Sequence, residues 1–362
     1  MNKTARRKKL LVALEAAGAD GFVATHGADV RWLSGFTGSS GAVGVCKGKA
    51  VLFTDGRYTE QARAEAAGMR VVIGKGSPGL LATKWLVEQG VRRCGFDSTE
   101  TTVAAYESMR AAVPGLLRRN FLQAQPGLVA RLREHKDAEE IDRMRAAAAL
   151  GCRVFQESLP RLRSCKTELE FALLLETAAK QAGAEAMSFD TIVASGERSA
   201  LPHGRASSAR LPRKGFVTVD FGVVLDGYCS DMTRTVFLGK SSVRERDVYH
   251  SVLEAQQTAV AAVRSGVSCG EVDEAARGVL RKARLDKWFT HSTGHGVGLE
   301  IHEGPRVAAG QSQRLETGMV ITIEPGVYLP GEFGIRIEDT VVVTETGCEV
   351  ITSSSPKDWT QL

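Results

Sequence analysis

A chain of 362 residues, 43% hydrophobic and 25% charged with 10 prolines, can bury a large core and is long enough for two domains, which excludes disorder and fibrous repeats. Its longest stretch without a charged side chain, Trp32 to Cys46, is 15 residues rich in glycine and serine, too short and too polar to span a bilayer. The net charge of +5, from 47 basic and 42 acidic residues spread along the chain with only 6% aromatics, argues against a nucleic-acid partner.

The first predicted element is a helix from Lys3 to about Gly18, where Leu10, Leu11, Leu14 and Ala17 recur at helical spacing and Gly18 supplies a stop. Its basic start (Lys3, Arg6, Arg7, Lys8, Lys9) precedes an apolar run that Glu15 interrupts after five residues. That run is too short for a signal-peptide core, and a cytoplasmic protein is expected. Strand-like and helical runs then alternate: Gly21 to Ala24, Ala42 to Cys46 turning through Lys47-Gly48-Lys49 into Ala50 to Thr54, a helix from Arg57 to Ala67, Arg70 to Ile73, a helix from Leu80 to Glu88, and Arg92 to Phe96. The alternation predicts an α/β domain over residues 1–125.

Gln125-Pro126-Gly127 breaks this pattern, and a second domain is expected over residues 126–362. The charged stretch from Arg131 through Glu140 is read as opening a single long helix to about Leu159. A helix from Thr167 to Ala182, strands around Thr191 to Ala194 and Phe216 to Phe237, helices from Ser242 to Val263 and Gly270 to Ala283, and a strand-rich end from Met319 to Val350 follow. Helix pair, strands, helix pair, strands is the order of an α+β domain made of two similar halves. The cysteines at 46, 94, 152, 165, 229, 269 and 348 form no CxxC pair and no zinc-knuckle spacing, so they are expected to be reduced and mostly buried.

Three stretches look like familiar motifs but lack their spacing. Gly44 to Lys49 has three residues between its glycines and Ala50 after its lysine, where a phosphate loop needs four and then Ser or Thr, so it is read as a hairpin turn. Thr293-Gly294-His295-Gly296-Val297-Gly298 follows no buried strand and has the wrong glycine spacing for a dinucleotide. His302-Glu303 is not a zinc-binding helix, because Arg306 stands where the second histidine belongs.

The chemistry concentrates in the second domain. His203, His291, His295 and His302 lie there, the last three close together among glycines. Asp220 sits inside Val217-Thr218-Val219-Asp220-Phe221-Gly222, and Glu324 ends Met319-Val320-Ile321-Thr322-Ile323; charge in such strands needs a partner. Leu225-Asp226-Gly227-Tyr228 reads as a two-residue hairpin turn, which sets Asp220 opposite Thr233 and, with no bulge, Asp231 diagonal to Asp220 on the same face. Glu324 likewise precedes a Pro/Gly loop at 325–334, after which Arg336 and Glu338 share a face. Four buried carboxylates on one surface cannot all stay ionised without cations between them, and carboxylates with one imidazole suit a pair of divalent metals.

These residues closely resemble the pita-bread metallopeptidases, the group of methionine aminopeptidase, prolidase and aminopeptidase P. The resemblance lies in Val219-Asp220-Phe221-Gly222, Ser230-Asp231-Met232-Thr233-Arg234-Thr235, Gly294 to Pro305, Thr322-Ile323-Glu324-Pro325-Gly326 and Arg336-Ile337-Glu338-Asp339. It implies that Asp231 and Glu338 bridge two metal ions, that Asp220 completes one site and that His295 and Glu324 complete the other. Manganese is the expected metal, with cobalt or zinc as alternatives. The resemblance puts catalytic histidines at His203 and His302, gives Glu324 the proton, and places His291, His302, Arg306 and Arg336 on the substrate side, with Arg336 orienting a ligand carboxylate.

Trp32-Leu33-Ser34-Gly35-Phe36-Thr37-Gly38-Ser39 and Thr54-Asp55-Gly56-Arg57-Tyr58 resemble the N-terminal domain of creatinase, prolidase and aminopeptidase P. The whole chain is therefore expected to be an α/β creatinase/prolidase-like domain followed by an α+β pita-bread catalytic domain, acting as an Xaa-Pro aminopeptidase on proline-containing peptides. Xaa-Pro dipeptidase is the alternative, since Arg306 matches an arginine that prolidases use to read the free carboxylate. Relatives without metal, creatine-type hydrolases or binding scaffolds, form a third class, in which the ligand carboxylates are replaced. A homodimer is the expected assembly, with Trp32, Phe36 or Arg57 reaching a partner's site.

Overall fold

A computed structural model describes residues 3–362, which divide into one unit ending at Arg133 and a second from Glu134 to Leu362. In the first unit, helices α1 (Lys3–Ala16), α2 (Gly27–Ser34), α3 (Thr59–Glu65), α4 (Pro78–Glu88), α5 (Val103–Ala111) and α6 (Leu128–Arg133) accompany strands β1 (Gly21–Ala24), β2 (Gly41–Cys46), β3 (Lys49–Thr54), β4 (Arg70–Ile73), β5 (Cys94–Phe96) and β6 (Leu122–Ala124). The strands form one mixed sheet in the order β4-β3-β2-β1-β5-β6, antiparallel at β1–β2 and β2–β3 and parallel elsewhere. Val51, Phe53, Trp85, Leu86, Phe96 and Phe121 fill the core beneath α4.

The expected boundary lies at 125/126; α6 packs on α1 and α2, and the compact unit extends to Arg133. Trp32 and Phe36 are 2% and 1% exposed and belong to the unit's own core, which leaves only Arg57 of the three facing outward. Their apolar rings fold inward because this small unit needs them there.

The second unit opens with α7 (Ala138–Ser158) and α8 (Glu168–Gln181). Strands β7 (Ala186–Met187), β8 (Ile192–Ser195), β9 (Gly215–Phe221), β10 (Val223–Leu225), β11 (Tyr228–Cys229) and β12 (Met232–Leu238) follow, then α9 (Val243–Ala262) and α10 (Cys269–Lys282). The chain ends in β13 (Gly294–Gly296), β14 (Glu303–Val307), β15 (Val320–Ile323), β16 (Gly326–Leu329), β17 (Phe333–Arg336), β18 (Asp339–Val343) and β19 (Cys348–Val350). The single helix expected from Arg131 is split in two. Asp137 accepts from Glu140 N and the Glu140 side chain accepts from Asp137 N, a reciprocal cap that starts α7 afresh.

Each half buries a helix pair against antiparallel strands. Phe155, Phe171 and Leu175 of α7 and α8 meet Val193, Val219 and Val236 of the sheet β12-β9-β8. Val252, Val272 and Leu280 of α9 and α10 belong to the cluster that holds Val307, Ile321 and Val341 of the sheet β14-β13-β15-β18-β19. The Pro/Gly stretch 325–334 is not a loop but the hairpin β16–β17, in which Val327 faces Ile335 and Tyr328 faces Gly334. Its β-branched and aromatic residues outweigh the flanking Pro325 and Pro330. Between β10 and β11, Asp226 and Gly227 take φ of 49° and 78°, the left-handed pair of a two-residue hairpin turn.

Candidate metal centre and active site

Five acidic and imidazole side chains arrive on five strands, four of them at or next to a strand end. The hairpin keeps the register expected from its turn, so Asp220 on β9 pairs with Thr233 on β12, and Asp231 lies one residue before β12. Glu324 follows β15, Glu338 precedes β18, and His295 stands in the middle of β13. The strands are knit at this point: Glu338 N donates to Thr233 O at 3.2 Å, and Thr340 Oγ1 donates to Asp231 O at 2.8 Å. Glycines on either side of His295 make the approach possible. A Cβ on Gly294 would stand 1.9 Å from Thr322 O, and one on Gly296 1.9 Å from Gly304 O.

Asp231, His295 and Glu338 offer ligand atoms that all lie within 4.8 Å of one another. His295 Nε2 is 3.6 Å from Asp231 Oδ2 and 3.6 Å from Glu324 Oε1. The ring's other nitrogen, Nδ1, donates to Gly296 O at 2.9 Å, which fixes the tautomer and turns the Nε2 lone pair toward the carboxylates. Burial holds the His295 pKa down to about 4. Burial and then the charge of neighbouring carboxylates push Asp231 and Glu338 well above the carboxylate range, and burial first, with Asp220 adding, pushes Glu324 up to about 8. Asp220 Oδ1, buried, has no hydrogen-bond partner among the described residues.

Four carboxylates and a neutral imidazole thus face one another with one guanidinium, Arg336, among them. Arg336 donates through Nη2 to Asp220 Oδ2 at 2.6 Å, through Nε to Thr233 Oγ1 at 3.1 Å, and through Nη1 to Pro202 O at 3.0 Å and Tyr328 Oη at 2.8 Å. Thr233 Oγ1 in turn donates to Glu338 Oε2 at 2.7 Å. The residual negative charge, the lone pair aimed at it and the orphaned Asp220 oxygen fit a pair of divalent cations, and the oxygen-rich donors with one imidazole fit hard or borderline metals.

The cluster opens into a cavity of about 850 Å³ lined by the ten site residues expected in the second domain: His203, Asp220, Asp231, His291, His295, His302, Arg306, Glu324, Arg336 and Glu338. They differ in what they can reach. His302 is exposed and its ring lies 4.5 Å from that of His295. His291 is committed: Nδ1 donates to Ser292 O at 2.8 Å, Nε2 accepts from Tyr328 Oη at 2.9 Å, and burial followed by the Arg336 charge lowers its pKa to about 4. Arg336 is 4% exposed and committed to protein acceptors, so its place is behind Asp220 rather than against a substrate. Arg306 sits opposite His295 in the ladder, exposed, with no ion pair or hydrogen bond among the described residues.

Sequence reasoning missed Tyr328, Thr233 as a bridge, and the apolar wall of Phe189, Ile192, Pro202 and Ile301. Tyr328 was hidden by the loop reading of 325–334. Thr233 was legible in principle, because the register placed it opposite Asp220.

Residues 142–345 match the family model described as metallopeptidase family M24, and residues 6–135 match the creatinase/prolidase N-terminal domain. A peptidase of Bacillus subtilis, itself uncharacterised, is 38% identical over 341 residues, which cover 94% of this chain and 95% of that protein. Among solved structures, the Xaa-Pro dipeptidase from Bacillus anthracis aligns with a TM-score of 0.95 and 39% identity over 100% of both chains. The X-Pro aminopeptidase from Thermotoga maritima aligns with a TM-score of 0.89 and 34% identity over 97% of this chain and 100% of that one. The chain belongs to metallopeptidase family M24: it is a two-domain enzyme with a creatinase/prolidase-like domain ahead of a pita-bread catalytic domain. The family depends on a pair of divalent metal ions.

Proposed function

We propose that this M24 metallopeptidase is an Xaa-Pro dipeptidase, releasing the first residue and proline from a dipeptide. The observation that carries the choice over an aminopeptidase is Arg306: a guanidinium without a protein partner, on the cavity wall opposite His295, matched to a substrate carboxylate. The Bacillus anthracis neighbour named as a dipeptidase supports it. The aminopeptidase reading, placed first on sequence grounds, is favoured by the Thermotoga maritima neighbour and is the alternative the test must separate.

In this reading Asp220, Asp231, His295, Glu324 and Glu338 hold two divalent ions, manganese in the first instance, with cobalt or zinc also suited to the donors. When bound, such a pair supplies Lewis-acid polarisation of the scissile carbonyl and a nucleophile at neutral pH. The chain's own residues do the rest. Glu324 takes and returns the proton; His203 and His302 donate to the carbonyl oxygen and the departing proline nitrogen. Phe189, Ile192, Pro202 and Ile301 exclude water from one wall, and Arg306 sets the length of substrate by reading its free end. The enzyme acts as a cytoplasmic homodimer, a point that light scattering checks.

The test is a matched pair, an Xaa-Pro dipeptide and an Xaa-Pro-Yaa tripeptide, given to manganese-loaded protein with Asp231→Asn as the blank. Release of the first residue from the dipeptide alone supports the dipeptidase; comparable cleavage of the tripeptide replaces it with the aminopeptidase. Cleavage of neither by loaded protein sinks both.

A further inference from the structure

Two buried carboxylates outside the ligand set carry the same construction, one in each half of the catalytic domain. Glu168, the first residue of α8, is 0% exposed. Its Oε1 accepts from Ser195 N at 2.8 Å and Ser195 Oγ at 2.9 Å, and its Oε2 from Arg198 Nε at 3.0 Å and Ser207 Oγ at 2.8 Å. Arg198 Nη2 continues to Arg205 O at 2.9 Å. Glu168 N and Leu169 N donate to Ala209 O and Ser207 O. Every one of these partners lies on residues 195–209, the irregular segment that carries His203.

Asp273, on α10, is also 0% exposed and accepts from Thr293 N at 3.3 Å, Thr293 Oγ1 at 2.8 Å and Arg277 Nε at 2.7 Å. Arg277 continues through Nη1 to Phe289 O at 3.0 Å and through Nη2 to His291 O at 2.6 Å. A carboxylate, an arginine, the backbone N–H and hydroxyl of one Ser or Thr, and a carbonyl within two residues of a cavity histidine recur in both.

Stability alone does not account for two such ion pairs, because well-packed apolar side chains in their place are often as stable or more so. Neither carboxylate lines the cavity. What each does, and an apolar cluster cannot, is hold an irregular backbone at fixed bond lengths and angles next to a histidine. Reactions of this kind are sensitive to that: a misplacement of about 1 Å can cost roughly 100-fold in rate.

We propose that Glu168 with Arg198 is a positioning pair for His203, and that Asp273 with Arg277 is its counterpart for His291. The proposal rests on the peptidase reading for its kinetic effect, not for its structural one.

The experiment is a set of double-mutant cycles on the metal-loaded, full-length enzyme with an Xaa-Pro dipeptide. Glu168→Gln is the direct variant, and Arg198→Met, at a side chain with 36% exposure, serves if the first fails to fold. Either is expected to lower kcat roughly 10-fold with little change in KM. The loss should vanish in a His203→Ala background and persist in full in a His291→Ala background, while Arg277→Met shows the reverse pattern. Equal losses in both backgrounds would mean a merely structural role and overturn the proposal. If His203→Ala itself leaves kcat unchanged, the catalytic reading of that histidine fails instead. Hydrogen exchange then decides the clasp: faster exchange confined to residues 195–209 in Arg198→Met supports it, and unchanged exchange overturns it.

Discussion

Arg336 Nη2 lies 2.6 Å from Asp220 Oδ2, and the same guanidinium reaches the carbonyl of Pro202, the residue before His203. One buried cation therefore ties a ligand carboxylate to the backbone of a candidate catalytic histidine. It also orders the chain from Tyr328 to His291, since Tyr328 Oη accepts from Arg336 and donates to His291 Nε2.

Removing that cation should strand Asp220. Arg336→Met is expected to destabilise the metal-free protein by about 3–5 kcal/mol, because an unpartnered buried carboxylate remains. Arg336→Lys keeps the charge but loses the fork, and metal affinity should fall roughly 10- to 100-fold. Denaturant unfolding and calorimetric metal titration measure the two effects; a wild-type response from both variants would contradict the role.

Chelation should make the protein's stability depend on pH. A carboxyl whose folded pKa is raised keeps its proton in the folded state where the unfolded chain has lost it. The metal-free enzyme should therefore lose stability as pH rises from the ordinary carboxylate value of about 4.3 toward the folded value of about 8 for Glu324, with Asp231 and Glu338 acting in the same direction. Metal loading replaces those protons and should flatten the profile. Unfolding midpoints across this range, with chelator and with manganese, check it; coincident profiles would count against a buried carboxylate cluster.

Arg306→Gln should act on dipeptides alone. Losing one charge-assisted pair with the substrate carboxylate, worth about 1.5–3 kcal/mol, predicts a rise in KM of roughly 10- to 100-fold with kcat nearly unchanged. A tripeptide, where it is cleaved at all, should be unaffected. An equal rise for both substrates would assign Arg306 a different contact.

Gly294→Ala tests the close packing at His295. Its Cβ would meet Thr322 O at 1.9 Å, so β13 and β15 must separate. The variant should lose about 1–3 kcal/mol of stability and bind metal more weakly than wild type, read by thermal unfolding and metal titration. Unaltered binding would show that His295 does not depend on this spacing.

Much of the site could be read in the sequence because its signals are local. The Asp226-Gly227 turn fixes the register, so Asp220 and Thr233 meet as the hairpin rule requires. Glu324 and Glu338 are conspicuous as charges at the ends of apolar strands. What stayed hidden depends on packing between segments distant in the chain. The hairpin at Gly326–Arg336 looks like a loop because Pro325, Pro330 and Gly331 outweigh a short run of strand formers in any window. The clasps of Glu168 and Asp273 join helix to loop across 27 and 20 residues, and no periodicity reports that. The start of α7 was legible and misread: Asp137 and Glu140 carry the spacing of a reciprocal cap, yet the charge run around them suggests a continuous helix.

Under the proposed dipeptidase reading, the buried carboxylates and His295 hold the two divalent ions that hydrolysis needs. The direct measurement is a manganese titration of chelator-treated enzyme, following bound metal per chain and dipeptide hydrolysis together. Two ions should bind per chain, activity should rise with their occupancy, and both should be lost in Asp231→Asn. Full dipeptide hydrolysis by protein stripped of metal, or a chain that binds no divalent ion while folded, would contradict it.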